Sequence, residues 1–326
     1  MKKILVTRKY PASGIRMLEK EKFNLTFWEK ERPMTPDELA EAAVRHNALL
    51  CTLTDAINAR FLEQCRHLEI ISQFAVGYDN IDIDAATRLG IPVGYTPGAM
   101  SEATADTAFG LMIAVARKMF FNHRLITTGN WGYFNPTGHL GCELKNKTLG
   151  ILGLGRIGIK MAQRCKGAFD MNVIYHNRKP AEAAETELNA QYVSFNRLLA
   201  QSDVLSVHCA LTPETKQLFN RDAFQKMKSS AIFINTARGP VHHEADLARA
   251  VETGEIWGAG LDVTDPEPMD KDNPLLYMEN VCILPHIGSA TQEARNSMSE
   301  MAAANIIEFY KTGTAPTLVN PGVLGQ

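Results

Sequence analysis

The chain has 326 residues, 45% hydrophobic and 21% charged, with a formal net charge of -2; it is long for one domain, comfortable for two, and lacks the basic surface of a nucleic-acid or anionic-membrane binder. No apolar run approaches the roughly 20 residues that cross a bilayer, and the run at residues 4–6 is too short for a secretory signal. Six cysteines (Cys51, Cys65, Cys142, Cys165, Cys209 and Cys282) lie scattered without metal-knuckle or redox spacing, so reduced thiols in a cytoplasmic protein are expected.

Short strands are predicted at residues 3–7, 25–28, 48–52, 70–73 and 91–95, with polar amphipathic stretches between them, the pattern of a small doubly wound domain. Residues 101–121, SEATADTAFGLMIAVARKMFF, read as one long helix with Ser101 as its N-cap. The loop at 131–145 is aromatic and glycine-rich; Trp131 within it reads as a core or interface side chain, or as one reaching a substrate pocket. Residues 147–158, KTLGILGLGRIG, form an apolar strand running into Gly153, Gly155 and Gly158, with a helix at 156–169 behind them. Strands follow at 172–177, 192–194, 204–209, 231–235, 258–263 and 281–284, and a last helix at 291–311 returns the chain to the first domain. The expected fold class is α/β with two doubly wound parallel-sheet domains. A Rossmann cofactor domain, residues 100–290, is inserted in a flavodoxin-like substrate domain made of residues 1–99 and 291–326.

A glycine triplet alone is a weak signal, but one that ends a strand and opens a helix is stronger. Gly153 permits the tight turn, Gly155 lets the backbone approach a pyrophosphate, and Gly158 lets the helix pack on the strand. The first amides of that helix, Arg156 and Ile157 among them, then hold the phosphates. The next strand ends where an acidic residue would accept hydrogen bonds from the ribose of NAD. Here it ends in Asn177, Arg178 and Lys179. A carboxylate repels a 2'-phosphate, whereas a guanidinium grips one with paired hydrogen bonds. NADP(H) is therefore the expected cofactor, with NAD(H) the less preferred alternative, and the competing account of Arg178 and Lys179 is a solvated loop.

Ligands of such sheets sit beyond the carboxyl ends of the strands, in a cleft between domains. Three segments deliver polar residues there: AIFINTARG at 231–239 ends with Arg238, GAGLDVTDPEP at 258–268 carries Asp262 and Glu267, and VCILPHIGSAT at 281–291 carries His286. Hydride addition to a carbonyl places charge on its oxygen, so a proton donor must stand beside it. Histidine titrates near neutrality. A carboxylate against its other ring nitrogen fixes the tautomer and favours the protonated ring, and Glu267 is the candidate. Arg238 can hold the carboxylate and carbonyl oxygen of an oxo acid in a planar fork. The alternatives are a capping or core role for His286 and a hydrogen-bonded turn for Asp262. Adjacent side chains diverge, so His242 and His243 make a poor metal pair, and no metal is expected.

These segments, with FAVGYDNIDIDAATRLGIPV at 74–93, EATADTAFGLMIAVAR at 102–117, TLGILGLGRIG at 148–158 and KMKSSAIFINTARG at 226–239, resemble the D-isomer-specific 2-hydroxyacid dehydrogenase family over essentially the whole chain. The likeness is closest to its glyoxylate/hydroxypyruvate reductase branch. That resemblance implies Arg238, Glu267 and His286 as the catalytic residues, with His286 as acid/base, Glu267 its partner and Arg238 the substrate anchor. It implies that the amides of Val76 and Gly77 bind the substrate carboxylate and that Leu53 and Met100 line the substrate pocket. It places Asp262 on the nicotinamide carboxamide and Thr107 and Thr212 at the cofactor. It also implies a homodimer joined through the cofactor domains, with the 101–121 helix at the interface.

The implied reaction is reduction of a small 2-oxo acid, glyoxylate or hydroxypyruvate, to glycolate or D-glycerate. A 2-ketogluconate reductase of the same family is the alternative, and phosphoglycerate oxidation fits less well without the NAD-type acid. A dinucleotide-sensing protein like the C-terminal-binding corepressors is disfavoured by the short tail after the last helix. Residues 239–244, GPVHHE, depart from the family, which commonly carries valine and aspartate before the glutamate.

Overall fold

Parallel strands need a long crossover between them, and a helix is the usual solution. The computed structural model, which describes residues 1–324, follows that rule in both of its sheets. Gly325 and Gln326, the end of the segment expected at 291–326, lie outside the described residues. The chain forms two units, Met1–Met100 with Ala290–Gln326, and Ser101–Ser289.

The first unit begins β1 (Lys3–Val6), α1 (Ala12–Lys20), β2 (Asn24–Phe27), α2 (Pro36–Ala43), β3 (Ala48–Cys51), α3 (Ala59–Gln64), β4 (Ile70–Gln73), α4 (Ile83–Arg88) and β5 (Val93–Gly94). Its strands are parallel in the order β2-β1-β3-β4-β5, a doubly wound sheet of flavodoxin type. Every residue of β3 and β4 is buried, as expected of strands covered on both faces. Caps set the helix starts. Thr35 and Glu38 make a reciprocal capping box, and Asn58 and Asp82 each accept an amide of the first turn.

The second unit runs α5 (Ser101–Ala116), α6 (Met119–Thr127), β6 (Thr148–Leu152), α7 (Arg156–Phe169), β7 (Asn172–His176), α8 (Glu182–Leu188), β8 (Gln191–Tyr192), α9 (Phe195–Gln201), β9 (Val204–Val207), α10 (Arg221–Gln225), β10 (Ile232–Asn235), α11 (Glu244–Glu252), β11 (Gly258–Leu261) and β12 (Val281–Ile283). The strand order is β12-β11-β10-β9-β6-β7-β8, so strand order reverses between β6 and β9. The crevice beyond the carboxyl ends at that reversal is the ligand position of such sheets. The chain then returns to the first unit as α12 (Gln292–Thr312), capped by the Thr291 hydroxyl and ended by Gly313 at φ +78°. No helix among the described residues is long and apolar enough to cross a membrane.

The helix expected at 101–121 is two helices, and Ser101 is its first residue rather than its cap. The break falls at Lys118, whose φ is +50°. The cause is remote in sequence: the Cys142 amide donates to the Ala116 carbonyl at 2.9 Å, and a Cβ on Gly141 would stand 2.2 Å from that oxygen. A returning loop therefore satisfies a carbonyl that a continuing helix would have used. Ala105, Ala108, Leu111, Met112, Val115 and Ala116 of α5 are buried in the unit's own core.

In the first unit, α1 crosses α12 at Gly14, where an added Cβ would lie 2.1 Å from the Ser299 carbonyl oxygen. Two backbones at that separation cannot admit a methyl group without moving apart. Gly14→Ala is expected to lower the unfolding free energy by about 1–3 kcal/mol, measured as a fall in the urea midpoint at unchanged m-value.

Candidate active site

The glycine turn is shaped by the protein's own packing at two of its three glycines. Gly153 has φ +94°, a conformation open to glycine, and a Cβ there would meet the Cys209 amide nitrogen at 2.8 Å. Its amide donates to the His176 carbonyl at 3.0 Å, and the Gly155 amide donates back to the Gly153 carbonyl at 2.8 Å. A Cβ on Gly158 would stand 2.6 Å from the Gly153 oxygen, whereas one on Gly155 would meet no atom within 4 Å. Gly155 is the N-cap of α7 and offers no side-chain cap. The amides of Arg156, Ile157 and Gly158 are first-turn donors that lack intrahelical acceptors. Uncapped amides at the positive end of a helix, beside a position that the protein leaves uncrowded, fit a pyrophosphate.

β7 ends against this turn. Asn177, expected to help grip a phosphate, is engaged with the turn itself: its Oδ1 accepts the Leu154 amide at 2.7 Å and its Nδ2 donates to the Leu154 carbonyl at 3.4 Å. Arg178 and Lys179 follow on the exposed surface. Although the end of β7 carries no acid, the fold supplies one from another segment. Glu214, exposed on the turn after β9, has a carboxyl held below the ordinary range by the Thr212 hydroxyl, then by its own backbone amide, and also by the charge of Arg178. Thr212 belongs to the same turn, its amide donating to the Thr215 hydroxyl at 2.8 Å.

β10, β11 and β12 are neighbours in the sheet, and Arg238, Asp262 with Glu267, and His286 leave their carboxyl ends. Asn235 shapes the first of these turns, accepting the Ala237 amide and donating to the Arg238 carbonyl, both at 2.9 Å. Arg238 is half-buried, and its guanidinium donates to the Ala237 carbonyl at 2.7 Å. At the next residue, a Cβ on Gly239 would stand 1.9 Å from the Thr264 carbonyl oxygen. Only a glycine lets these two loops touch.

His286 has φ +53°, a left-handed conformation that costs a non-glycine residue about 1–3 kcal/mol. Asp262 holds the backbone there: Oδ1 accepts the Ile287 amide at 2.8 Å and Oδ2 the Gly288 amide at 2.7 Å. Burial pushes this carboxyl upward, against the pull of those two amides and of His286. Glu267 Oε1 stands 2.5 Å from His286 Nδ1. The Glu267 side chain is 43% exposed and that of His286 28% exposed, so the pair is open to water.

In the first unit, Leu53 follows β3, Val76 and Gly77 follow β4, and Met100 ends the unit's first segment, all four half-buried. Among the described residues the amides of Val76 and Gly77 have no acceptor. Adjacent bare amides of this kind suit an anion. Asn80 ties the two loops together, donating to the carbonyls of Thr52 at 3.1 Å and Asp55 at 2.8 Å, while its Oδ1 accepts Gln73 Nε2 at 2.6 Å. Gln73 Nε2 also donates to the Gly77 carbonyl at 3.2 Å.

Other candidates have local duties. The Thr107 hydroxyl donates to the Ala103 carbonyl of its own helix at 3.1 Å. Trp131 is 72% exposed, so it is no core residue; with Leu125, Ile126, Tyr133 and His139 it lines a hollow of about 350 Å³. No group of three or more His, Cys, Asp or Glu among the described residues could hold a metal ion. His243 is the N-cap of α11 without a side-chain cap bond, and its Nδ1 lies 2.9 Å from Asp246 Oδ2. His242 is buried, its Nδ1 accepting from Asn235 Nδ2 at 3.0 Å.

Residues 109–288 match the family model described as D-isomer specific 2-hydroxyacid dehydrogenase, NAD binding domain. The chain is 43% identical to the glyoxylate reductase of Thermococcus litoralis over 99% of this chain and 98% of that protein. Its structure is similar to that of the TT0316 protein of Thermus thermophilus, with a TM-score of 0.90, 37% identity and coverage of 97% and 99%. It is also similar to an NADPH-dependent glyoxylate/hydroxypyruvate reductase of Sinorhizobium meliloti solved with NADP and malonate, with a TM-score of 0.84, 31% identity and coverage of 98% of each chain.

His242 yields a pH prediction. Burial, and secondarily the neighbouring His243, push it from 6.5 down to about 4. The unfolded chain therefore takes up a proton that the fold refuses, and stability falls as pH drops from about 6.5 toward about 4. The gap corresponds to at most roughly 3 kcal/mol. His242→Val should flatten the fall in unfolding free energy between pH 7.5 and pH 5; an unchanged slope would contradict this account.

Proposed function

Because the chain belongs to the D-isomer specific 2-hydroxyacid dehydrogenase family, we propose that it reduces glyoxylate and hydroxypyruvate to glycolate and D-glycerate with NADPH. The observation that carries the reading is the 2.5 Å contact between Glu267 and His286 Nδ1 at the carboxyl ends of strands adjoining Arg238. The bound dinucleotide supplies the hydride. With Nδ1 given to Glu267, Nε2 of His286 is the atom that delivers a proton to the carbonyl oxygen as the C–H bond forms and the π pair moves onto that oxygen. The carboxylate partner orients the ring so that Nε2 is the free edge. Arg238 anchors the substrate carboxylate and polarises the carbonyl, and the bare amides of Val76 and Gly77 suit a carboxylate as well. By the family likeness, Leu53 and Met100 are read as substrate-pocket residues of the first unit.

On the cofactor side, the amides of Arg156, Ile157 and Gly158 hold the pyrophosphate, with Gly153 and Gly155 shaping its approach. Asp262, Thr107 and Thr212 contact the remainder. Arg178 and Lys179 receive the 2'-phosphate, with Asn177 acting by pinning the turn. The lack of an acid at the end of β7 supports NADPH over NADH. Glu214 acts against that preference by placing a negative charge within reach of Arg178.

The protein is read as a homodimer joined through the cofactor-binding unit. The supporting surface is the run of exposed apolar side chains Ile126, Trp131, Tyr133, Phe134 and Leu140, larger than isolated surface residues require. Six unpaired cysteines suit a reducing cytoplasm.

Substrate-dependent loss of NADPH absorbance with either acid tests the reaction, and its absence with both would overturn it. Screening 2-ketogluconate alongside separates the sugar-acid alternative. Arg178→Asp is expected to raise the KM for NADPH by about 10–100-fold while leaving that for NADH within a few-fold. Glu214→Gln should lower the KM for NADPH by roughly threefold. An unchanged ratio of the two cofactors in Arg178→Asp would sink the phosphate assignment.

A further inference from the structure

Glu267 sits on an exposed loop, residues 265–268, yet its carboxylate meets His286 at 2.5 Å. A glutamate on a free loop has several rotamers and a mobile backbone to sample, so a contact of that kind requires the loop to be held. We propose that Glu244, in the first turn of α11, is a positioning residue for the His286–Glu267 pair, tying down the loop between β11 and β12 on both sides of Glu267. The inference rests on the roles given to His286 and Glu267 above.

Glu244 Oε2 accepts the Asp265 amide at 2.9 Å, and Oε1 accepts Asn273 Nδ2 at 2.5 Å. The two anchors bracket Glu267 in sequence. Asn273 has no freedom to turn its amide, because its Oδ1 already accepts the Leu275 amide at 3.0 Å. The Asn273 nitrogen must therefore face Glu244. Both partners of Glu244 are donors, and only a carboxylate offers two acceptor oxygens in that shape. A glutamine has one acceptor and would turn an amine against one of the donors.

The carboxylate is kept here at some cost. Burial pushes the Glu244 carboxyl upward, and the charge of Asp265 adds to that push, while the Asp265 amide and Asn273 oppose it. Among the described residues, Asp265 is a charged group facing Glu244, and Glu267 and Asp262 are charged groups facing His286. Glu244 makes no contact with His286 in the structure. Its influence passes through the loop, which is also braced where Thr264 lies against Gly239 and where the Thr264 hydroxyl donates to the Pro266 carbonyl at 2.8 Å.

The test compares Glu244→Gln, Glu267→Gln and the double variant in the full chain. In Glu244→Gln, kcat/KM for the 2-oxo acid is expected to fall by about 10–100-fold, the size of effect that a small misplacement produces. The alkaline limb of its pH profile should move to lower pH, while the dissociation constant for NADPH stays within about twofold of the original. In the Glu267→Gln background, adding Glu244→Gln should cost less than about threefold more, because the charged contact that it positions has already gone. A direct readout needs no turnover: the downfield proton resonance of His286 Nδ1–H, assigned by its loss in His286→Asn, should weaken or shift upfield in Glu244→Gln. An unchanged resonance and pH limb in Glu244→Gln, or losses that multiply in the double variant, would overturn the proposal. If Glu244→Gln does not fold, Asn273→Ala removes one anchor and is judged by the same criteria. If the wild-type chain reduces no 2-oxo acid, the proposed reaction fails, while the resonance still decides the role of Glu244.

Discussion

The arrangement of polar groups beyond β10, β11 and β12 depends on the close approach of Gly239 to Thr264. Parallel neighbouring strands release their loops in the same direction, but strands lie nearly 5 Å apart, and loops bearing side chains tend to splay. A Cβ at residue 239 would stand 1.9 Å from the Thr264 oxygen, so any other residue would force the loops apart by more than an ångström. The Arg238 turn and the Glu267 loop are packed against one another because that atom is missing. The start of α11 follows a few residues later, which is how Glu244 comes within reach of Asp265.

The ionisable groups around this contact divide by what they face. Asp262 is buried and faces backbone amides, so its charge stabilises a conformation of the chain. Glu267 is half exposed and faces a ring nitrogen, so it fixes the orientation of another side chain. On the cofactor side the same division appears with Asn177 and Arg178, adjacent in sequence. Asn177 is bonded to the glycine turn, and Arg178 is left exposed to a ligand, with Glu214 within electrostatic reach. The exposed end of β7 thus carries a guanidinium with a carboxylate nearby.

The strands and the glycine turn were legible because their signals are local. Apolar runs of four to six residues mark buried parallel strands, and Gly153 and Gly158 sit where the turn needs φ above zero or a close approach. The meeting of Glu267 with His286 was also readable, since each follows an apolar strand. Features made by remote segments were not. The apolar period of 101–121 runs on through Lys118, while the break is imposed by Gly141 and Cys142. Glu214 and Glu244 reach their partners across turns with no fixed offset. The bare amides of Val76 and Gly77 are backbone groups, which carry no residue-type signature and were named only through the family likeness.

His286 combines a strained backbone with an aimed ring, and the structure fastens each separately. Asp262 accepts the two amides that follow His286 and so holds the left-handed residue in place. Glu267 accepts from the ring, and Glu244 accepts from the loop that carries Glu267. At every step the fastening group is a carboxylate because every partner presents N–H. Asp262 and Glu244 each accept two donors, so asparagine or glutamine at either position would keep the shape but set a donor against a donor, which leaves a polar group without a partner at a site where that costs about 1–3 kcal/mol. The acidity of Asp262 and Glu244 thus has a geometric origin before it has an electrostatic one: each holds two donors at once, which one carboxylate can accept and one amide cannot.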